Sequence, residues 1–378
     1  MIDTAHFQTQ NDSSTERLLA EIAQFSVKSD HDGCFPEQEF ALLRNSGLLT
    51  ITLPDHAFSF DQSQTSDLLQ LLKSVGRASL PVGRIYEGHI NALYLIFLFG
   101  NEAQKQHWNN DADENLFGVW NTQDAAGVEI HDLGNGRYRL SGCKTFCSGA
   151  GWIGRPLVTG KLISPDKTGW QMCIIPTEKV QAIQADSSFW KPLGMKASAS
   201  FRMDFTGIEI EEADLLGAPD DYYRQPYFGA GALRFAAVQL GGAEAILEET
   251  HRFLKEVNRT DDPFQSTRMA EITHLIETGN LWLNQAGANH DKWAGTPDAT
   301  EKLLAYANMT RTVIEDICLR AMQLAERSVG SRGLMRPGVL ERVHRDLTTY
   351  LRQPAPDAAL MSVGKYVLNQ QNTRTLWD

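Results

Sequence analysis

Residues 116–157 of the chain read LFGVWNTQDAAGVEIHDLGNGRYRLSGCKTFCSGAGWIGRPL, and this stretch decides the fold. Two runs of small polar residues, at 121–123 and 148–151, each follow a strand-like segment. Between them, Asn135 and Gly136 predict the tight turn of a hairpin, because both residues accept the positive φ that such a turn needs. A hairpin brings its flanking strands side by side, so we expect the two polar runs to face one surface. Backbone amides and hydroxyls on a rigid sheet suit a flat heteroaromatic cofactor with hydrogen-bonding edges.

The segments on either side of this stretch carry a different periodicity. Apolar residues recur at a spacing of three to four in the first part of the chain, which predicts a helical domain over residues 1–112. Between 113 and 224, apolar and polar residues alternate and turn residues separate the runs, which predicts a middle β-barrel or sandwich of antiparallel strands. Residues 225–378 are again helical in pattern, with wide apolar faces, and predict a C-terminal four-helix bundle available for subunit contacts. The predicted fold class is therefore α+β.

The bulk composition excludes several kinds of partner. The 378 residues carry a formal net charge of −12, and no basic cluster or stripe stands out, so a nucleic acid is not an expected partner. The N-terminal residues are polar and lack the apolar core of a signal peptide, and the most apolar run, at 92–99, is too short to span a bilayer. We therefore expect a protein without a membrane partner.

The cysteines and histidines show no pattern of a disulfide framework or a metal site. The five cysteines form an odd set without the spacing of paired ligands, which predicts free thiols in a reducing cytoplasm. The ten histidines are scattered and form none of the paired motifs that bind zinc. The sequence therefore predicts a cytoplasmic protein with no metal site.

Two motifs in the middle segment resemble those of a known family. Residues 120–123 (WNTQ) and 142–148 (GCKTFCS) are similar to the turn and the strand that hold the flavin in the acyl-CoA dehydrogenase superfamily. The resemblance implies an FAD cofactor, with Thr122 and Ser148 along the isoalloxazine ring and Phe146 covering it. The same two motifs imply further cofactor-binding residues, namely Trp120, Asn121 and Cys147.

The resemblance continues in the C-terminal half. Residues 330–333 (GSRG), followed by ERVHRD at 341–346, are similar to the family's glycine-rich turn, which in relatives contacts the cofactor of a neighbouring subunit. Glycine suits that position because it lets backbone amides approach phosphate oxygens. Arg259 and Gln265 resemble the family's R-x-x-F-G…Q motif, in which the arginine binds pyrophosphate across the interface. The spacing here is several residues shorter, so Gln265 matches the motif better than Arg259, and the alternative for Arg259 is a surface ion pair. These residues imply a homodimer or homotetramer, with cofactor contacts from Arg259, Gln265, Gly330, Ser331 and Gly333.

A carboxylate base is missing from both positions where relatives supply one. A dehydrogenase of this type removes an α-proton with a glutamate. The two corresponding positions here are occupied by Pro354 and Leu233. Asp357 is a candidate replacement, because two prolines change the path of the loop that precedes it. The alternative role of Asp357 is a helix N-cap.

The absence of that base leaves three functions open. The first is hydride transfer to flavin N5 from an acyl substrate, bound to CoA or to a carrier. The second is a flavin-dependent monooxygenase on the same fold, which oxygenates nitrogen, sulfur or carbon through a flavin peroxide. For that function, His89, Arg352 and Gln353 become candidate catalytic residues. The alternative role of His89 is that of a hydrogen-bonded core histidine. The third is a non-catalytic binding or assembly subunit. Family frequency favours the first, an FAD-dependent oxidoreductase acting on a small molecule.

Overall fold

The computed structural model of the chain describes residues 4–125, 127–179, 184–352 and 355–378. The first part of the chain is helical. Its five helices are α1 (Thr4–Ser26), α2 (Glu37–Asn45), α3 (Thr65–Ala78), α4 (Leu80–Phe99) and α5 (Glu102–Asp111). Helix α4 begins with Pro81 in its first turn, where a missing N–H costs nothing, and α5 begins with a capping box between Asn101 and Gln104.

The middle part contains ten strands within the described residues. They are β1 (Phe117–Trp120), β2 (Glu129–Gly134), β3 (Arg137–Ser141), β4 (Cys143–Cys147), β5 (Arg155–Ile163), β6 (Thr168–Ile174), β7 (Gln184–Asp186), β8 (Phe201–Asp204), β9 (Glu209–Glu211) and β10 (Leu215–Leu216). The expected hairpin joins β2 to β3: Asn135 and Gly136 form its two-residue turn with φ of 55° and 70°. Both angles are those of a type I′ turn, which matches the right-handed twist of the strands.

The strand pairing differs from the expected all-antiparallel arrangement. Seven strands form one sheet in the order β10-β6-β5-β2-β3-β9, with β1 paired to β5, and a second sheet has the order β4-β8-β7. Both β1 and β2 pair with β5 in parallel, β1 along its first half and β2 along its second half. Alternation predicts which residues lie in strands but carries no information on the direction of the strands with which they pair. The predicted antiparallel pairing of all the strands was therefore wrong.

The last part is helical and packs tightly against the first. Its helices are α6 (Tyr227–Ala230), α7 (Ala232–Glu256), α8 (Pro263–Trp293), α9 (Thr300–Gly333), α10 (Val339–Tyr350) and α11 (Pro356–Asn369). Helix α3 crosses α7 at very short range: a Cβ on Gly241 would lie 2.0 Å from the carbonyl oxygen of Lys73, and one on Gly76 would lie 2.4 Å from that of Val238. Glycine at both positions is what permits this approach.

The segment ERVHRD has a structural role at the junction with the β part. It lies on α10, where Arg345 forms buried ion pairs with Glu341 at 2.7 Å and with Asp30 at 2.6 Å. The Asp346 carboxylate accepts a hydrogen bond from the Met195 N–H, and burial raises its pKa to about 6. These contacts fix α10 against residues 193–195 of the middle part.

The predicted α+β class, with helical, β and helical parts in that order, is confirmed, whereas the exact boundaries at 112 and 224 stay predictions. One continuous hydrophobic cluster joins the three parts. None of the helices in the described ranges is both long and apolar enough to cross a membrane. The five cysteines are free thiols, four of them buried.

Candidate active site

The two polar runs of the deciding stretch meet at one edge of the β part. β1 ends at Trp120 and β4 ends at Cys147, so each run begins as its strand ends. The Thr145 N–H donates to the Thr122 carbonyl at 3.1 Å, and the Trp120 indole N–H donates to the Ser148 carbonyl at 3.0 Å. Each run is therefore hydrogen bonded to the strand that precedes the other run, without the hairpin strands β2 and β3.

A large cavity opens in front of this edge. Its volume is about 1010 Å³, which exceeds that of most drug-sized ligand sites. Helix α4, the two polar runs, the segment around α6 and α7, and helices α9 to α11 all contribute to its wall. Five of the residues proposed from the sequence line it, namely Asn121, Thr122, Phe146, Ser148 and Arg352.

Phe146 has an unusual backbone conformation at this wall. Its φ is +54°, a left-handed value that bulky residues rarely adopt and that marks strained functional positions. The side chain is 54% exposed although it is aromatic, and it packs edge-to-face against Phe189 at 5.2 Å and Trp190 at 6.0 Å between ring centroids. The structure thus places a solvent-exposed aromatic ring beside Ser148.

Three serine hydroxyls form a chain beside this ring. The Ser148 Oγ lies 2.9 Å from the Ser200 Oγ, which lies 2.8 Å from the Ser198 Oγ. All three residues line the cavity. Because a hydroxyl both donates and accepts, the chain can present either a donor or an acceptor to a ligand.

Asn121 is held rigidly by groups behind the wall. Its Oδ1 accepts hydrogen bonds from the Thr159 hydroxyl at 2.6 Å and from the Trp170 indole N–H at 3.1 Å. The Lys144 Nζ donates to the Asn121 carbonyl at 2.9 Å, and burial lowers the pKa of this lysine to about 7. These contacts fix the amide orientation and direct its NH₂ group toward the Tyr223 hydroxyl, 3.4 Å away.

A network of charged and polar side chains lines the α4 side of the cavity. Glu87 is buried, and its two oxygens are bound by the Arg84 guanidinium and by the Asn91 Nδ2, the latter at 2.6 Å. The Asn91 Oδ1 accepts a hydrogen bond from the Arg234 Nε. Arg234, on α7, also stacks over Tyr94, with its guanidinium carbon 4.9 Å from the ring centroid.

The spacing of the α4 residues in this network is a signal that the sequence reasoning missed. Positions 84, 87 and 91 are three and four residues apart and therefore share one helix face. In an otherwise apolar helix, three polar residues on one face indicate a polar wall. No comparable signal marks Arg234, whose place at the cavity depends on the long-range packing of α7 against α4.

His89 lies in the core rather than at the cavity, which does not fit a catalytic role. Its exposure is 0%, its Nε2 lies 2.7 Å from the Leu49 carbonyl oxygen, and its Nδ1 accepts from the Phe117 N–H at 3.0 Å. Burial lowers the pKa of His89 to about 4, so the ring is neutral. Both nitrogens are occupied by backbone groups, and the alternative of a hydrogen-bonded core histidine describes this residue.

The side chains of Trp120 and Cys147 also point away from the cavity. Both are buried, at 2% and 0% exposure, and belong to the hydrophobic core. Each lies in a strand whose next residue lines the cavity, and alternation along a strand sends neighbouring side chains to opposite faces. Any contribution of these two residues to cofactor binding would be indirect, through Asn121 and Ser148.

The candidate base Asp357 is exposed and is not part of the cavity wall. It lies in the first turn of α11, whose N-cap is Ala355, so Asp357 is not the N-cap either. Arg352 does line the cavity and pairs with Glu315 at 2.8 Å. Gln353 and Pro354 lie outside the described residues. Leu233 is buried in the core at 1% exposure.

The residues expected to bind pyrophosphate gather at one end of the C-terminal helices. Gln265 is buried near the start of α8, and with its amide oriented to satisfy its neighbours it donates to the Ser328 hydroxyl at 3.0 Å and accepts from Arg259 at 3.2 Å. Ser328 is two residues before Gly330, where α9 kinks with φ +59° and ψ −167°. Gly330, Ser331 and Gly333 therefore lie beside Gln265 and Arg259. None of them lines the cavity of this chain, and their contact with a cofactor stays a prediction.

Within residues 4–125, 127–179, 184–352 and 355–378, no group of three or more His, Cys, Asp or Glu side chains is arranged to hold a metal ion.

Comparison with protein families gives a match at both ends of the chain. The family model described as acyl-CoA dehydrogenase, N-terminal domain, matches residues 8–112, and the model described as acyl-CoA dehydrogenase, C-terminal domain, matches residues 233–352. The chain belongs to the acyl-CoA dehydrogenase superfamily. The superfamily that the middle-segment motifs resemble is confirmed by these two matches, which flank that segment.

Members of the superfamily with different activities are similar to the chain along most of its length. Dibenzothiophene monooxygenase of Rhodococcus erythropolis is 23% identical, with 92% of this chain and 90% of the relative covered. The probable FMNH2-dependent monooxygenase SfnC of Pseudomonas putida is 25% identical, with 94% and 93% covered. An acyl-CoA dehydrogenase of Bacillus subtilis (strain 168) is also 25% identical, with 93% and 94% covered.

The fold is shared with a solved structure. The crystal structure of FMN-bound TdsC from Paenibacillus sp. A11-2 superposes with a TM-score of 0.83 at 20% identity, covering 96% of this chain and 99% of that chain. At this identity the similarity shows the common fold.

Proposed function

We propose that the protein is a flavin-dependent monooxygenase that oxygenates a small molecule in the cavity in front of β1 and β4. One observation favours oxygenation over acyl-CoA dehydrogenation. Among the described residues that line the cavity, Glu87 and Glu301 are the carboxylates, and both oxygens of Glu87 are already bound, by Arg84 and Asn91. Glu301 is exposed in the first turn of α9. Neither is arranged as a base for an α-proton, which dehydrogenation requires and oxygenation does not.

The residues at the wall fit a flavin ring. Phe146 and Trp190 offer aromatic surface that can cover a flat heterocycle, and the Ser148 hydroxyl and the Asn121 amide offer polar groups for its edge. Thr122 lines the same wall. These residues would hold the ring; Ser200 fixes the Ser148 hydroxyl, and Thr159 and Trp170 fix the Asn121 amide. Reduced flavin, when bound, supplies the electrons with which dioxygen gives one oxygen atom to the substrate and the other to water.

The protein's own contribution is to bind, to orient and to exclude bulk water. The aromatic residues Tyr94, Tyr227, Phe228 and Phe235 add apolar surface to the cavity. A low local dielectric strengthens each hydrogen bond from Ser148 and Asn121 and protects a reactive oxygen species from water. No described histidine lines the cavity, so the proton-donating groups of its wall are hydroxyls, amides, guanidinium groups and the Lys365 ammonium.

We propose FMN rather than FAD as the flavin. Arg259 and Gln265, which were expected to bind a pyrophosphate, are hydrogen bonded to groups of their own chain. Arg259 pairs with Asp262, and Gln265 bonds to the Ser328 hydroxyl and to Arg259. The names of two similar proteins, FMNH2-dependent SfnC and FMN-bound TdsC, point the same way. FAD is the alternative, and a comparison of the two flavins distinguishes them.

The reaction type is tested with flavin-loaded protein and acyl-CoA. Short-, medium- and long-chain acyl-CoA thioesters are added without oxygen, and the flavin absorbance is followed; we expect no bleaching. In the second arm, a flavin reductase supplies reduced FMN, isotopically labelled dioxygen is present, and indole, dibenzothiophene and methanesulfinate are offered. Products that carry one labelled oxygen atom support the proposal. Rapid anaerobic bleaching by any acyl-CoA would overturn it in favour of a dehydrogenase.

A further inference from the structure

Arg234 is a buried positive charge that no carboxylate neutralises directly. Its exposure is 9%, and it lines the cavity. Within the part of the chain that the structure describes, its guanidinium makes one hydrogen bond, from Nε to Asn91, and no ion pair. Two other buried arginines, Arg155 and Arg345, each contact two carboxylates. A buried charge without a partner is costly, so a ligand that supplies the missing charge is favoured.

The nearest carboxylate cannot take that role because it is committed elsewhere. One oxygen of Glu87 is bound by Arg84 and the other by Asn91. The Asn91 amide is thereby oriented with its NH₂ toward Glu87 and its oxygen toward Arg234, which fixes the guanidinium in place. Glu87 pairs directly with Arg84, and it acts on Arg234 through space without an ion-pair contact. Burial lowers the pKa of Arg234, the direction expected for a desolvated cation.

The Arg234 guanidinium borders the cavity beside Gly231. Gly231, one turn earlier in the chain, lines the cavity and has no Cβ; one placed there would lie 3.2 Å from the Arg234 Nη2. Tyr94 supports one face of the guanidinium. The remaining N–H groups form a planar fork, whose geometry matches the paired oxygens of an oxyanion.

The charge of the whole cavity agrees with an anionic ligand. Its described lining contains five cationic residues and two carboxylates, whereas the chain as a whole carries a formal net charge of −12. The surfaces beside Arg234 are apolar, with Leu95, Tyr227 and Phe235 in the wall. A ligand that matches both properties has a charged head and an apolar body.

We propose that Arg234 binds the head group of the substrate, and that the substrate is a small organic oxyanion: a sulfinate, sulfonate or carboxylate with an apolar body. The assignment of this ligand as the substrate rests on the proposed function. Arg234 is then a specificity-determining residue, and neutral heterocycles are poor ligands of this cavity.

The first test needs no variant. Binding of benzenesulfinate, benzenesulfonate and benzoate to the full-length wild-type protein is measured by calorimetry, next to the neutral analogues methyl phenyl sulfone and methyl benzoate. We expect each anion to bind about tenfold or more tightly than its neutral analogue, because a charge-assisted bidentate contact is lost in the ester and the sulfone. Equal affinity within the pairs, or no binding of any anion at millimolar concentration, would overturn the proposal.

The second test asks whether Arg234 is the residue that causes the preference for anions. Arg234→Met removes the charge, Arg234→Lys keeps it without the fork, and Arg252→Met makes the same change on the exposed part of the same helix as a matched control. Anion affinity should fall by about tenfold or more in Arg234→Met and less in Arg234→Lys, with the neutral analogues and the control unchanged. An unchanged preference for anions in a folded Arg234→Met protein would overturn the assignment.

The third test separates a substrate head group from the flavin phosphate, which is also an oxyanion. FMN and riboflavin are titrated into the same variants. We expect Arg234→Met to bind both as the wild type does. A loss of FMN affinity with riboflavin unaffected would assign Arg234 to the flavin phosphate and overturn the proposal. Failure of both flavins to bind the wild type would instead count against the proposed function, while the anion titrations remain valid.

Discussion

His89 illustrates how a residue with catalytic chemistry is used for structure. Its two ring nitrogens bridge the Leu49 carbonyl and the Phe117 N–H, and so join the loop after α2 to the first strand through α4. The sequence could not distinguish this role from a catalytic one, because both place a histidine near the polar face of a helix. Whether the role of His89 is structural or catalytic depends on which backbone groups long-range packing brings to its ring.

This role predicts a pH dependence of stability. The pKa of His89 falls from 6.5 to about 4 on burial, so the unfolded chain binds a proton that the folded chain does not. The contribution of His89 to stability is complete above pH 6.5 and is lost as the pH falls toward 4, by about 3 kcal/mol. We expect His89→Gln to lower the free energy of unfolding at pH 8 by about 1–3 kcal/mol, and to flatten its decline below pH 6.5.

The measurement is urea unfolding at a series of pH values, with His56→Gln as the control at an exposed histidine. Turnover per folded molecule should be similar in His89→Gln and the wild type. A folded His89→Gln protein that has lost activity at every pH would contradict the structural role and restore the catalytic one.

Phe146, Asn121 and Ser148 show what the sequence predicts well at this scale. The motifs placed them in one site, and all three line the cavity. The neighbouring residues Trp120 and Cys147 came from the same motifs, yet their side chains lie in the core. A motif records residues that keep a local backbone shape as well as residues that touch a ligand, and strand alternation separates the two groups.

Among the elements, the crossing of α3 over α7 is set by glycine. A Cβ on Gly241 would lie 2.0 Å from the Lys73 carbonyl oxygen, and the partner atom is backbone, which cannot turn aside. We therefore expect Gly241→Ala to force the helices apart and to destabilise the protein by about 1–3 kcal/mol or more, in spite of the better helix propensity of alanine. Thermal and urea unfolding measure the effect.

Gly364 provides the matched control for this prediction. It lies on α11, and a Cβ there would meet no atom within 4 Å. Gly364→Ala should stabilise the protein slightly, by about 0.5–1 kcal/mol. If both substitutions stabilise the chain, the close crossing of α3 and α7 does not exist in solution.

The strands also show the limit of predicting structure from the local sequence pattern. The hairpin of β2 and β3 follows from two residues, Asn135 and Gly136, because a two-residue turn fixes the pairing of the strands that it joins. The parallel pairing of β1 and β2 with β5 joins residues up to some forty positions apart, and no turn specifies it. The direction of those strands is decided by the packing of the whole sheet.

At the scale of the whole molecule, the order of helical, β and helical parts was predictable because each has its own hydrophobic period. The cavity was not, since its wall combines α4, two strand ends, α7 and α9 to α11. Arg234 is the clearest case: it lies in the mostly apolar first half of α7, and only the approach of α4 brings Asn91 and Tyr94 to it. The homodimer or homotetramer implied by Arg259, Gln265 and the turn at Gly330 stays a prediction.

The central claim is that the wall formed by Thr122, Phe146 and Ser148 holds a flavin. It is tested most directly by titrating FMN, FAD and riboflavin into the purified protein and into Phe146→Ala, with flavin fluorescence as the measurement. We expect saturable binding of FMN by the wild type, weaker binding of FAD, and a loss of about tenfold or more in FMN affinity in Phe146→Ala, since stacking on an aromatic ring is removed. No saturable binding of any flavin by the wild type would contradict the account.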